Sequence, residues 1–104
     1  MKIKEIEERS GMSRANIRFY ESEGLLAPER DTNGYRDYSE HDLEALQRIK
    51  LLRTLRISLE EIKSIANGQH NLVEALDAHL LTLENESLQV EHAQKLCRLM
   101  RDDN

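Results

Sequence analysis

From Leu72 to Met100 the sequence has neither glycine nor proline, and this uninterrupted stretch limits what the chain can fold into more than any other feature. It predicts one helix of 29 residues, roughly 44 Å long at 1.5 Å per residue. Leu76, Leu80, Leu83, Ser87, Val90, Gln94 and Cys97 alternate steps of four and three along it, which is a heptad seam weakened by two polar positions. Leu81, Leu88, Leu96 and Leu99 make a second, partial stripe. Nothing remains in a 104-residue chain to cover such a helix. An uncovered apolar seam calls for a second helix, so the sequence predicts self-association through a two-stranded coiled coil.

The length allows one ordinary domain ahead of that helix. Aromatic residues are 4% of the chain and there is one proline, which supplies a sandwich or barrel poorly. The longest apolar runs, Leu25-Leu26-Ala27 among them, fall far short of the ~20 residues that span a bilayer. With no signal-peptide stretch at the start and a single cysteine, Cys97, the expected setting is a reducing cytoplasm and the expected chain non-membranous. The net charge of −5 argues in bulk against nucleic acid. The distribution of charge lifts that objection: residues 1–56 hold eleven basic and eleven acidic side chains, whereas residues 57–104 hold four and nine.

Within the first part, Ile3 and Ile6 suit the inner face of a short helix over 3–9, stopped by Gly11. Ser13 can cap a second helix, Arg14 to Glu23, ended by Gly24 with Leu25 after it. Two short helices joined by a tight turn have the spacing of a helix-turn-helix, whose second helix faces the DNA major groove. From Ala27 to Tyr38 the composition changes, with Pro28 as a breaker and Asn33-Gly34 as the preferred pair for a type I′ turn, predicting a small two-stranded wing. Ser39 with Asp42 reads as a capping box for a helix through about Thr54, with Leu43, Leu46, Ile49 and Leu52 as its core face and Leu51 and Leu55 beside them. Ser58 and Glu61 open another, which buries Leu59, Ile62, Ile65 and Ala66 before Gly68.

Three motifs in fixed order, NIRFYESEGLL, NGYRDYS and SLEEI, resemble the DNA-binding domain of the MerR family of bacterial transcription regulators across residues 1–65. The resemblance implies a mainly α fold: a winged helix-turn-helix of four helices and a small β-hairpin over 1–70, then a long coiled-coil helix over 71–104 pairing antiparallel in a homodimer. It also implies a transcription regulator that binds a pseudo-palindromic promoter operator, distorts it, and acts on RNA polymerase there. Distortion costs several kcal/mol that contacts away from the centre must supply. The family usually has glycine before SLEEI where this chain has Arg56. Either the turn differs, or Arg56 serves phosphate in a left-handed conformation costing ~1 kcal/mol. The additional cysteines of the family's metal sensors and the large C-terminal domain of its drug sensors have no counterpart here, so the signal receptor is expected to be absent or to lie outside these residues.

The expected DNA-binding residues are Arg14, Arg18, Tyr20, Arg30, Arg36, Tyr38 and Arg56. Arg14 and Arg18 are four apart on one face of the second helix; the competing reading is a solvated pair bridging Glu21 or Glu23. The family aligns Arg18 and Tyr20 with DNA-contacting positions, and Tyr20 equally suits the core beside Ile17. Arg30, Arg36 and Tyr38 flank the hairpin turn, and resemblance to the family's wing makes Arg36 and Tyr38 backbone contacts, with Tyr35 as the anchor of the wing. The expected dimer seam is Leu76, Leu80, Leu83, Val90 and Cys97. Cys97 and His92 could approach a metal only across a dimer, and a lone helical cysteine more often fills space. No nucleophile-base-acid set or phosphate loop stands out, so neither an enzyme nor a cofactor is expected. The alternative function is an acidic coiled-coil adaptor whose winged domain binds protein.

Overall fold

Three serines start three of the helices by the same chemistry. Ser13 Oγ accepts from Asn16 N at 3.2 Å, Ser39 Oγ from Asp42 N at 3.1 Å and Ser58 Oγ from Glu61 N at 3.1 Å, each satisfying a backbone donor that the first helical turn leaves open. At Ser39 the exchange is reciprocal, since its own N–H donates to the Asp42 carboxylate at 2.9 Å. The computed structural model describes residues 1–104 as α1 (Ile3–Ser10), α2 (Arg14–Ser22), β1 (Glu29–Arg30), β2 (Arg36–Asp37), α3 (Glu40–Thr54), α4 (Leu59–Ala66) and α5 (Leu72–Asp102). They fall into two compact units, Met1–Asn67 and Gly68–Asn104. No helix is long and apolar enough to cross a membrane.

The core of the first unit forms where α1 packs on α2 and α3, and α3 on α4. Ile6, Ile17, Leu26, Tyr38, Leu43 and Leu46 make one buried cluster, with Ile49, Leu52, Ile57 and Ile62 also buried. The run of every-third residues on α3 is thus entirely inside. Leu51 and Leu55 are not: they are 68% and 40% exposed. Two residues past Ile49, at ~100° each, Leu51 lies over half a turn away from that buried position. On α4 only Ile62 of the expected apolar face is buried, Leu59 and Ile65 being half-buried and Ala66 exposed.

α2 and α3 end alike. Leu25 N reaches back to Tyr20 O at 3.0 Å past Gly24 at φ +81°, and Ile57 N reaches back to Leu52 O at 3.1 Å past Arg56 at φ +66°. Both closures need a left-handed residue. Glycine adopts it freely and arginine at a cost of ~1–2 kcal/mol. The turn before α4 therefore keeps its left-handed form around Arg56.

The wing pairs Glu29 with Asp37 and Arg30 with Arg36 in an antiparallel register. Its turn is not the expected type I′. Of Asn33 and Gly34 only Gly34 has positive φ, at +82°, whereas type I′ requires it at both positions. Asp31 dictates this shape: its carboxylate accepts from Asn33 N at 2.9 Å and Tyr35 N at 3.0 Å, and its carbonyl from Gly34 N at 3.0 Å. A two-residue hairpin is marginal by itself, and the start of the chain braces this one. Tyr38 N donates to Met1 O at 2.7 Å, the Met1 ammonium donates to Asp37 Oδ1 at 2.8 Å, and Lys2 pairs with Asp31. Lys2 holds Asp31 below the ordinary carboxylate range, and the ammonium does the same for Asp37.

The second unit carries α5, capped by Asn71, whose side chain accepts from Glu74 N at 3.1 Å. The helix runs 31 residues and none of them is buried. Leu80 and Val90 are each 56% exposed, Cys97 is exposed, and Leu76 and Leu83 are half-exposed. The second stripe is bare as well, with Leu81, Leu88, Leu96 and Leu99 all exposed.

Candidate nucleic-acid interface

Ile17 fixes the orientation of α2. Its side chain is at 0% exposure, whereas Arg14, Arg18 and Phe19 on the same helix are exposed and Tyr20 is half-buried against the core. Tyr20 therefore packs, with part of its ring still accessible. Phe19 stacks edge-on to it, centroids 5.4 Å apart at 60°. Sequence reasoning misses this apolar ring, 45% exposed next to Arg18; the signal is its position in Arg18-Phe19-Tyr20, which a hydrophobicity reading treats as core.

The arginines differ in what holds them. Arg18 makes no ion pair or hydrogen bond. Arg14 Nε donates to Glu7 Oε1 on α1 at 2.8 Å, not to Glu21 or Glu23. Arg36 Nε donates to both oxygens of Glu21 on α2, at 2.9 and 2.8 Å, and Glu23 pairs with Lys63 on α4. The wing is thereby tied to the second helix by a carboxylate 15 residues earlier in the chain, a link no local pattern reveals. Arg30 Nη1 donates to Gly34 O at 3.0 Å and closes its own hairpin. Arg56 is exposed but belongs to the α3–α4 turn, a different element.

The two wing tyrosines exchange their expected places. Tyr35, the expected anchor, is 68% exposed, and Tyr38, an expected backbone contact, is 1% exposed within the core. Alternation along a strand explains the swap, because Arg36 and Tyr38 share the side facing α2 and the core while Tyr35 and Asp37 share the other. Tyr38 cannot lay its ring on DNA. Its hydroxyl is buried without a partner, and burial, then the nearby Glu21 charge, push the phenol above its ordinary range. An unpaired buried hydroxyl costs free energy, so Tyr38→Phe should leave stability unchanged or raise it by up to ~1 kcal/mol. Urea unfolding checks this; a loss of that size would show a partner for the hydroxyl.

The second helix and the hairpin thus carry an unpaired arginine, two arginines held by carboxylates of neighbouring elements and an exposed aromatic ring. Cationic planar groups with free donors bind phosphate oxygens or base edges. No group of three or more histidine, cysteine or acidic side chains is placed to hold a metal ion.

Residues 1–69 match the family model described as MerR HTH family regulatory protein. The chain is 45% identical over 65 residues to the HTH-type transcriptional regulator HmrR of Rhizobium leguminosarum bv. viciae, covering 62% of this chain and 50% of that protein. Among solved structures, it is similar to the N-terminus of MtaN, the Bacillus subtilis multidrug transporter activator, at 30% identity and a TM-score of 0.82, covering 96% of this chain and 97% of that one. HiNmlR, a MerR family regulator lacking the sensor domain and solved bound to promoter DNA, superposes with a TM-score of 0.63 at 28% identity, covering 97% of this chain and 76% of that one. The chain spans about half the length of several curated relatives it matches.

Proposed function

This chain belongs to the MerR family of helix-turn-helix regulatory proteins, and on that premise we propose that it binds double-stranded promoter DNA as a homodimer, reading a pseudo-palindromic operator and distorting it so that RNA polymerase can use the promoter. In this reading residues 1–70 form the winged helix-turn-helix that engages DNA, and residues 71–104 form the helix that pairs antiparallel with its copy. The observation that carries it is Arg18. An exposed arginine with no partner, centred on the second helix of a helix-turn-helix, has every guanidinium donor available to phosphate or base. The half-exposed heptad seam on α5 supports the dimer, since a two-fold protein matches a two-fold operator. Tyr20 contributes its accessible edge, Arg14 and Arg36 their terminal amino groups, and Arg30 the hairpin flank. Arg56 contributes from the α3–α4 turn.

Arg18→Ala tests the assignment directly, because removing an unpaired side chain orphans no neighbour. Binding to the operator should weaken by ~1–3 kcal/mol if Arg18 reads a base, and by less with a shallower salt dependence if it holds phosphate. Titration across salt concentrations separates the two outcomes. Unchanged affinity in a folded variant would remove Arg18 from the interface.

A further inference from the structure

Three arginines of the first unit are paired with glutamates on neighbouring elements, and the pairing has two forms. Arg9 on α1 meets Glu40 on α3 fork to fork, Nη1 to Oε1 at 2.6 Å and Nη2 to Oε2 at 3.0 Å. Both its terminal amino groups are engaged within the protein, Nη1 also reaching Met1 Sδ at 3.2 Å. Arg14 and Arg36 are held from the side, through Nε alone, by Glu7 at 2.8 Å and by Glu21 at 2.8–2.9 Å. Neither uses Nη1 or Nη2 in any hydrogen bond within the protein. The fork-to-fork pair joins two helices of the scaffold; the side-on pairs restrain two arginines of the candidate interface.

From this contrast we infer that Glu7 and Glu21 are positioning residues for DNA binding: each fixes an arginine by its Nε edge and leaves the terminal amino groups free for backbone phosphate. The inference rests on the DNA-binding reading above. An unrestrained arginine loses much rotamer freedom when it docks, and a guanidinium fixed beforehand loses less. The glutamates are themselves sheltered, Glu21 at 19% and Glu7 at 29% side-chain exposure, against 68% for Glu40. Glu21 has a second consequence, because its partner lies on β2: it joins the wing to the second helix, so both arginine-bearing elements meet DNA in a fixed relation.

The prediction runs against simple charge counting. Removing an acidic group from a DNA-binding face lessens repulsion of phosphate and should tighten binding. Positioning requires the opposite. The 104-residue chain is titrated with labelled, sheared genomic duplex DNA at several salt concentrations, comparing the parent with Glu7→Gln, Glu21→Gln and, as the fork-to-fork control, Glu40→Gln. Glu7→Gln and Glu21→Gln should each weaken binding roughly threefold to tenfold and make the dependence of log affinity on log salt shallower by up to ~0.9, one phosphate contact. Glu40→Gln should bind as the parent or tighter. Binding equal to or tighter than the parent's in either of the first two variants overturns the inference while leaving DNA binding intact. A parent chain that does not bind duplex DNA overturns both. If Glu21→Gln is unfolded by circular dichroism, Arg36→Lys takes its place, keeping the charge but lacking the two-edged guanidinium. Weakened binding then supports the inference and unchanged binding overturns it.

Discussion

Leu80→Asp is expected to sediment as a 12.1 kDa monomer at tens of micromolar, where the parent chain sediments at twice that mass. Leu80 is already 56% exposed in the single chain and no residue of α5 is buried, so the substitution removes little packing within it and a loss of association points to the interface. Burying a polar group without a partner costs roughly 2–7 kcal/mol, and an ionised carboxylate more; two-fold symmetry brings two of them. That exceeds what a seam interrupted by Ser87 and Gln94 has to spare. DNA binding should fall with it, because one winged unit then meets one half-site. A parent chain that is monomeric under these conditions would refute the dimer, and a variant that stays dimeric would take Leu80 out of the seam.

Ile17→Ala should lower the free energy of unfolding by about 2–5 kcal/mol, the range for truncating a fully buried branched aliphatic side chain. Domains of this kind have only ~5–15 kcal/mol in total. Ile17 has 0% exposure and sits in one cluster with Ile6, Leu26, Tyr38, Leu43 and Leu46, so the cavity opens behind the helix that carries Arg14 and Arg18. The urea midpoint should drop sharply and DNA binding should be lost at the lower denaturant concentration. A shift below ~1 kcal/mol would mean that Ile17 does not anchor this helix.

What the sequence discloses depends on whether the governing contact is local. The serine caps, the glycine that ends α2 and the buried threes of α3 are decided within four or five residues, and each is legible. The stripe gives no warning that Leu51 points away, because its neighbours in sequence are not its neighbours around the helix; Leu55 keeps the register of threes but lies past Thr54 at the cap of α3, where it is 40% exposed. Tyr35 and Tyr38 exchange places for a related reason. Strands of two residues are too short to show an alternating pattern, and which side faces the core is fixed only by the helices they lean on. The turn type follows Asp31, whose side chain outweighs the Asn33-Gly34 pair. Least legible is the organisation of the arginines. Spacing places Arg14 and Arg18 on one face correctly, but the carboxylates that hold Arg14 and Arg36 come from α1 and α2 across tertiary contacts. Arg56 lies between these cases: the left-handed turn is foreseeable from family resemblance, and the non-glycine residue in it becomes interpretable only beside its counterpart at Gly24.

The measurement closest to the central claim is the affinity of the intact chain for duplex DNA as a function of salt. An interface built on arginines should give a log affinity that falls linearly with log salt, with a slope of about −0.9 for each phosphate neutralised, and two chains bound per operator. Retention on duplex DNA that is absent at low salt, or indifferent to salt, would contradict it.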